Sequence, residues 1–180
     1  MSLKRIPFLR CLALGLCLAI ACFISGCGEG AKTLPPAPDF SLQALDGREI
    51  ILSKTIGKAV LLDFWATWCG PCRESIPHLV KLYNTYQAQG FEIIGLSLDK
   101  ADKDVVLHFV QSMDIPYPIA IAPDSVLRDY GVRGIPTTIL IDREGKIREK
   151  IVGFNLSIAE KMTSSVSSLT AEKAPGAPPE

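Results

Sequence analysis

The chain has 180 residues, 48% of them hydrophobic, and its 19 basic residues balance its 19 acids. That length accommodates one domain with a substantial core. The charge beyond the N-terminal 25 residues is net acidic, which argues against the basic face nucleic-acid binding needs, so no nucleic-acid partner is expected. Cys11, Cys17, Cys22 and Cys27 crowd the N-terminus and only Cys69 and Cys72 lie further on, a spread that excludes a disulfide-stapled miniprotein.

The charges are unevenly placed. Residues 1–25 hold Lys4, Arg5 and Arg10 and no acid, so the remainder carries three more acids than bases. Residues 11–24 are 14 apolar or small residues. That is short for a spanning helix and suits a signal-peptide core. The run closes on Ile24-Ser25-Gly26-Cys27, which resembles a bacterial lipobox. The resemblance implies removal of residues 1–26 and lipidation of Cys27, with Cys11, Cys17 and Cys22 discarded. An uncleaved N-terminal anchor is the alternative. Either reading exports the domain, so the expected location is the extracytoplasmic side of a bacterial membrane, facing the periplasm in a Gram-negative cell.

Residues 27–37 are polar and proline-rich and read as a flexible tether. The domain is expected over residues 38–170. Residues 39–44 alternate, Asp46-Gly47 marks a turn, and residues 48–52 resume the strand, which together predict a β-hairpin. Residues 53–57 suit a short helical turn and residues 59–66 a buried central strand. The spacing then predicts a helix over 69–89, with Ile76, Leu79, Val80, Tyr83 and Tyr86 inward and Pro77 kinking it. Residues 91–98 read as a second buried strand. Residues 102–113 read as a helix with Val105, Val106, Phe109 and Val110 inward. Pro116 and Pro118 lead into a short strand at 119–121, followed by helical turns at 125–130. A strand at 137–142, a turn at 143–145 and a returning strand at 146–153 complete the sheet. Ser157 and Glu160 form the expected capping box of a last helix with Ile158, Met162, Val166 and Leu169 inward. Residues 171–180 contain three prolines and a glycine and are expected to be disordered.

The chemistry concentrates where the central strand meets the first helix. Cys69 falls at the helix N-terminus, where unpaired N–H groups favour a thiolate. Cys72, one turn on, can attack a mixed disulfide formed by Cys69. Structural zinc needs about four Cys or His ligands, and only His78 and His108 remain to supply them, so no metal is expected. Both histidines read as surface or partly packed side chains.

Trp68-Cys69-Gly70-Pro71-Cys72, after a strand ending Asp63-Phe64-Trp65-Ala66, resembles thioredoxin. Pro38-Asp39-Phe40-Ser41-Leu42 followed by Asp46-Gly47 resembles the N-terminal extension of the TlpA/ResA and peroxiredoxin branches. The chain is thereby similar to TlpA/ResA-type thiol-disulfide oxidoreductases over roughly residues 38–169. The resemblance implies a thioredoxin-like α/β fold: a central mixed sheet flanked by helices, an N-terminal hairpin and a strand-helix insertion near residues 101–122. It makes Cys69 the nucleophile and Cys72 the resolving thiol. Ile135-Pro136-Thr137 resembles the cis-proline loop of this fold, and Pro136 and its neighbours Ile135 and Thr137 are expected at the substrate chain. Trp68 would form an apolar rim for substrate and Trp65 would pack in the core. Gly70 and Pro71, thioredoxin's own dipeptide, lean toward a reducing couple.

Asp63 stands where thioredoxin has a buried acid. Desolvation would raise its pKa and let it take the Cys72 proton. A partly solvated acid without a role is the other reading. The match of Asp99 to a functional acid of the family is off by a residue, so it receives no catalytic role. The implied function is reduction of protein disulfides without a cofactor. Apocytochrome c and copper-site assembly factors are family substrates, and a membrane thiol conduit of the DsbD/CcdA type is the implied electron source. A peroxiredoxin is a competing reading, but Leu62 and Ala66 stand where its peroxide motif needs Pro and Thr or Ser. A Cu(I) delivery module is another, since thiolates suit Cu(I), but no histidine follows His108. A monomer is the default.

Overall fold

The computed structural model describes residues 34–100 and 103–176. Five strands form the main sheet: β3 (Ala59–Trp65), β4 (Phe91–Ser97), β5 (Ile119–Ile121), β6 (Thr137–Ile141) and β7 (Ile147–Val152). Their order is β5-β4-β3-β6-β7, with β3, β4 and β5 parallel and β6 and β7 antiparallel to their neighbours. A separate hairpin, β1 (Ser41–Gln43) and β2 (Glu49–Ile51), precedes it. The helices are α1 (Gly70–Tyr86), α2 (Lys103–Ser112), α3 (Asp124–Asp129) and α4 (Leu156–Ala171). This is the expected thioredoxin-like architecture, with α2 and β5 as the strand-helix insertion at one edge.

Strand β3 is apolar at nearly every position because both its faces are covered. Ala59, Leu61 and Trp65 join a core with α1, α4 and Val106 of α2. Val60, Leu62 and Phe64 join a second core with Phe40, Ala44, Ile50, Leu52, Val126 and Tyr130. The hairpin therefore closes the face that α1 and α4 leave open. It is also tied to the sheet edge, where Ala44 bridges Ala120 and the Leu45 N–H donates to Ile119 O at 2.8 Å.

Several expectations shift in detail. The buried stripe of α1 is Cys72, Ser75, Ile76, Leu79 and Leu82, whereas Val80, Tyr83 and Tyr86 sit at its margin. Tyr83 and Tyr86 lie over the rim, edge-on to Tyr117 and Phe91. Pro77 is inside α1 on its exposed side. Val105 is exposed because the inward stripe of α2 runs through Val106, Phe109 and Val110, and a one-residue step turns about 100° around the helix. The cap of α4 is Asn155, whose Oδ1 accepts the Ile158 N–H at 2.9 Å. Ser157 consequently lies inside the first turn, and the expected Ser157–Glu160 capping box does not form.

The two ends of the domain also differ from expectation. Ile147 N donates to Pro35 O and Ala37 N to Gly145 O, both at 2.9 Å, so residues 35–37 of the expected tether pair with the β6–β7 hairpin. At the C-terminus, Ala171 completes α4 and Glu172 pairs with Arg148 at 2.9 Å. The Arg143 guanidinium donates to the carbonyls of Gly57, Gln89, Leu169 and Thr170, tying the 3-10 turn Gln87–Gln89 that follows α1 to the end of α4. Cations suit helix C-termini for this reason.

Candidate active site

The site sits at the C-terminal end of β3. The chain leaves the sheet at Trp65 and makes a turn closed by Cys69 N donating to Ala66 O at 3.1 Å. It enters α1 with Cys69 as N-cap and Gly70 and Pro71 in the first turn. Proline is well placed there because the first helical N–H groups have no intrahelical acceptor. The Cys69 Sγ accepts the Cys72 N–H at 3.3 Å, which puts the sulfur against the positive end of the helix.

Cys69 and Cys72 are disulfide-bonded, with Cα atoms 5.2 Å apart. Cys69 keeps 6% exposure and Cys72 none, so attack from outside reaches Cys69 first. Trp68, at 70% exposure, projects beside them, while Trp65 is buried as expected. An apolar cleft of about 420 Å³ opens next to Trp68, lined by Leu98, Ile121, Pro123 and Leu127 among others. Arg73, itself exposed, lies 6.0 Å over the Phe109 ring.

Asp63 occupies the middle of β3, opposite Gly95 of β4 and Thr138 of β6. Side chains alternate along a strand, so it shares the face of Leu61 and Trp65, the face that carries both cysteines. It is 1% exposed and its Oδ1 has no hydrogen-bond partner. Burial alone pushes its pKa up to about 7. Gly95 supplies no side chain opposite it, and space there is tight. A Cβ on residue 95 would come 2.2 Å from Ile119 Cδ1 and 3.2 Å from Trp65 Nε1. Tyr117 lines the same niche, its pKa driven well up by burial and by the Asp63 charge.

The Ile135–Pro136 peptide bond is cis, as the loop's resemblance implies. The loop is held from several sides. Gly153 N donates to Pro136 O at 2.8 Å and Lys150 Nζ donates to Gly131 O at 2.6 Å. Ile135 packs against both cores. Thr137 is buried and its hydroxyl donates to Gly134 O at 2.7 Å, a bond that shapes the loop. Cys27 lies outside the described residues.

One element of the site goes beyond the motif reading, which gave Asp99 no role. Asp99 is 3% exposed and both its oxygens are occupied. Oδ1 accepts the Thr67 hydroxyl at 2.6 Å, and Oδ2 accepts the Thr67 N–H at 2.9 Å and the Ser97 hydroxyl at 2.7 Å. The contact joins residues 32 apart in sequence. The sequence signals for it were an acid at the end of a buried strand and an off-by-one match to a functional acid of the family; neither pointed to Thr67.

Comparison with known proteins agrees with this geometry. The AhpC/TSA family matches residues 35–150. The chain is 41% identical over 118 residues to the thiol-disulfide oxidoreductase ResA of Bacillus cereus, covering 65% of this chain and 68% of that one. It is 43% identical over 118 residues to ResA of Geobacillus thermodenitrificans, covering 65% and 67%. A crystal structure of a thioredoxin-family thiol:disulfide interchange protein from Chlorobium tepidum superposes with a TM-score of 0.72 at 28% identity, covering 79% of this chain and all of the other.

Proposed function

Because the chain belongs to the AhpC/TSA family and to its ResA-like thiol-disulfide oxidoreductases, we propose that it reduces protein disulfides on the outer side of a bacterial membrane. The observation that carries this reading is the placing of Cys69 as the N-cap of α1, on the same side of the sheet as the unpartnered carboxyl of Asp63.

In the reduced protein the Cys69 thiolate attacks one sulfur of a substrate disulfide. A Cys69–substrate bond forms, the substrate S–S bond breaks, and the departing thiolate takes up a proton. The Cys72 thiol then passes its proton to Asp63 and attacks Cys69 Sγ. The Cys69–Cys72 bond forms and the second substrate thiolate leaves. Two electrons have moved from protein to substrate, and a dithiol donor must return them. Trp68 and the apolar cleft beside it suit the chain flanking the substrate cysteine, and the backbone of Ile135 suits pairing with that chain. A membrane conduit of the DsbD/CcdA type is the electron donor, and Cys27 the lipid attachment. Apocytochrome c and copper-site assembly factors, whose cysteines must stay reduced in an oxidising compartment, are the substrates this reading favours.

Incubating the reduced protein with a model protein disulfide tests the mechanism. Cys72→Ser is expected to accumulate the mixed disulfide through Cys69, and Cys69→Ser to be inert. Turnover by Cys69→Ser would contradict the assignment. Membrane fractionation of wild type against Cys27→Ser tests the anchor, with release of the variant expected and retention contradicting it.

A further inference from the structure

We propose that Asp99 is the positioning residue for the nucleophile, acting through Thr67 to fix the turn that presents Cys69 and Trp68. The inference rests on the reading of Cys69 as the attacking thiol.

Asp99 is itself held. Its backbone N–H donates to Ser97 Oγ at 3.1 Å, while the Ser97 hydroxyl returns a bond to Asp99 Oδ2. Ser97 ends β4, which pairs in parallel with β3, and Leu98 N adds a bond to Trp65 O at 2.8 Å. The carboxyl therefore stands just past the end of β4, beside the end of the central strand β3. From there it takes both donors of Thr67, the N–H and the hydroxyl. Thr67 is the first central residue of the Ala66–Cys69 turn, and Trp68 is the second.

The ends of that turn, Ala66 and Cys69, are buried in the core, but its central residues are not anchored there: Trp68 is 70% exposed, and the N–H and hydroxyl of Thr67 bond to Asp99. The turn nevertheless decides whether Cys69 Sγ reaches the Cys72 N–H at the head of α1. A turn that swings free carries the sulfur away from the helix terminus that favours its thiolate. Asp99 also lines the cleft beside Trp68, so one carboxyl registers the nucleophile against the wall that would meet the substrate chain. Asp99 does not act on the sulfur directly, and its influence passes through Thr67.

The test measures the pH dependence of iodoacetamide alkylation of Cys69 in the reduced protein, together with turnover of a protein disulfide and the melting temperature. Asp99→Ala is expected to move half-maximal alkylation to higher pH and to cut kcat/KM about tenfold, because small misplacement of reacting groups is costly. Thr67→Val removes only the hydroxyl and is expected to shift both in the same direction, about threefold in kcat/KM. Asp99→Asn keeps an oxygen for the Thr67 N–H and should restore most of the wild-type profile. If Asp99→Ala does not fold, Thr67→Val decides alone. Unchanged alkylation and turnover with only a lowered melting temperature would overturn the proposal. An equal shift to lower pH in Asp99→Ala and Asp99→Asn would also overturn it, since the carboxyl would then act as a charge and not through the turn. If the wild-type protein does not turn over protein disulfides, the reductase reading fails while the alkylation profiles still decide the role of Asp99.

Discussion

Two buried aspartates stand near the disulfide, and their surroundings are opposite. Asp99 has three donors directed at its two oxygens. Asp63 has an oxygen with no partner, in a niche walled by Trp65, Ile119 and Tyr117 around Gly95. Burial is nearly equal in the two, so burial alone does not decide what an acid does. A satisfied carboxyl fixes geometry, because its donors would be left unpaired without it. An unsatisfied one is poised to exchange a proton near neutral pH, because its charged form has nothing to stabilise it.

The largest expected effect follows from Asp63. Asp63→Asn removes the proton acceptor and should slow the resolving step about 100-fold, the lower range for general base catalysis. Stopped-flow decay of the mixed disulfide measures this directly. An unchanged rate would give the proton another destination and make the two aspartates alike.

The same residue makes stability depend on pH. Its folded pKa of about 7 lies above the ordinary value of 3.8. Between those values the folded state holds a proton that the unfolded state has lost, so the contribution is full below pH 3.8 and falls as pH rises to about 7. Each pH unit is worth about 1.4 kcal/mol, so the total is on the order of 4 kcal/mol. Denaturant unfolding of the oxidised protein at pH 4, 6 and 8 should show that loss in wild type and not in Asp63→Asn. Parallel curves for the two proteins would contradict it.

Asp99→Ala should cost about 3 kcal/mol in the same unfolding experiment, as the Thr67 N–H and two hydroxyls lose their acceptor. No measurable cost would mean that Asp99 does not hold these donors as its contacts imply. Gly95→Ala sharpens the comparison from the other side. The new methyl meets Ile119 Cδ1 at 2.2 Å and should cost about 1–3 kcal/mol through overpacking. A neutral result would mean that the niche beside Asp63 is roomier than these contacts imply.

Much of this was legible in the sequence because it is local. The apolar run of β3, the spacing of α1, and the Cys69-Gly70-Pro71-Cys72 and Ile135-Pro136 segments each carry their meaning within a few residues. Asp63 was legible through its place six residues before Cys69, on the strand that leads to it. Other features depend on what the chain meets after folding. The Asp99–Thr67 contact exists only because β3 and β4 lie parallel and side by side. Residues 35–37 look like a linker and are recruited by the exposed backbone of the β6–β7 hairpin. Val105 is as apolar as Val106, and only the packed direction of α2 separates them. Asn155 and Ser157 are both good caps, and the path from Gly153 into α4 chose the first.

The most direct measurement is the reduction potential of the Cys69–Cys72 couple in the purified protein, equilibrated at pH 7 against a dithiol of known potential. Thioredoxin lies at about −270 mV and the oxidant DsbA at about −120 mV. A reductase fed from the membrane should lie near the first value. A value near the second would reverse the direction of electron flow and make the protein a disulfide donor.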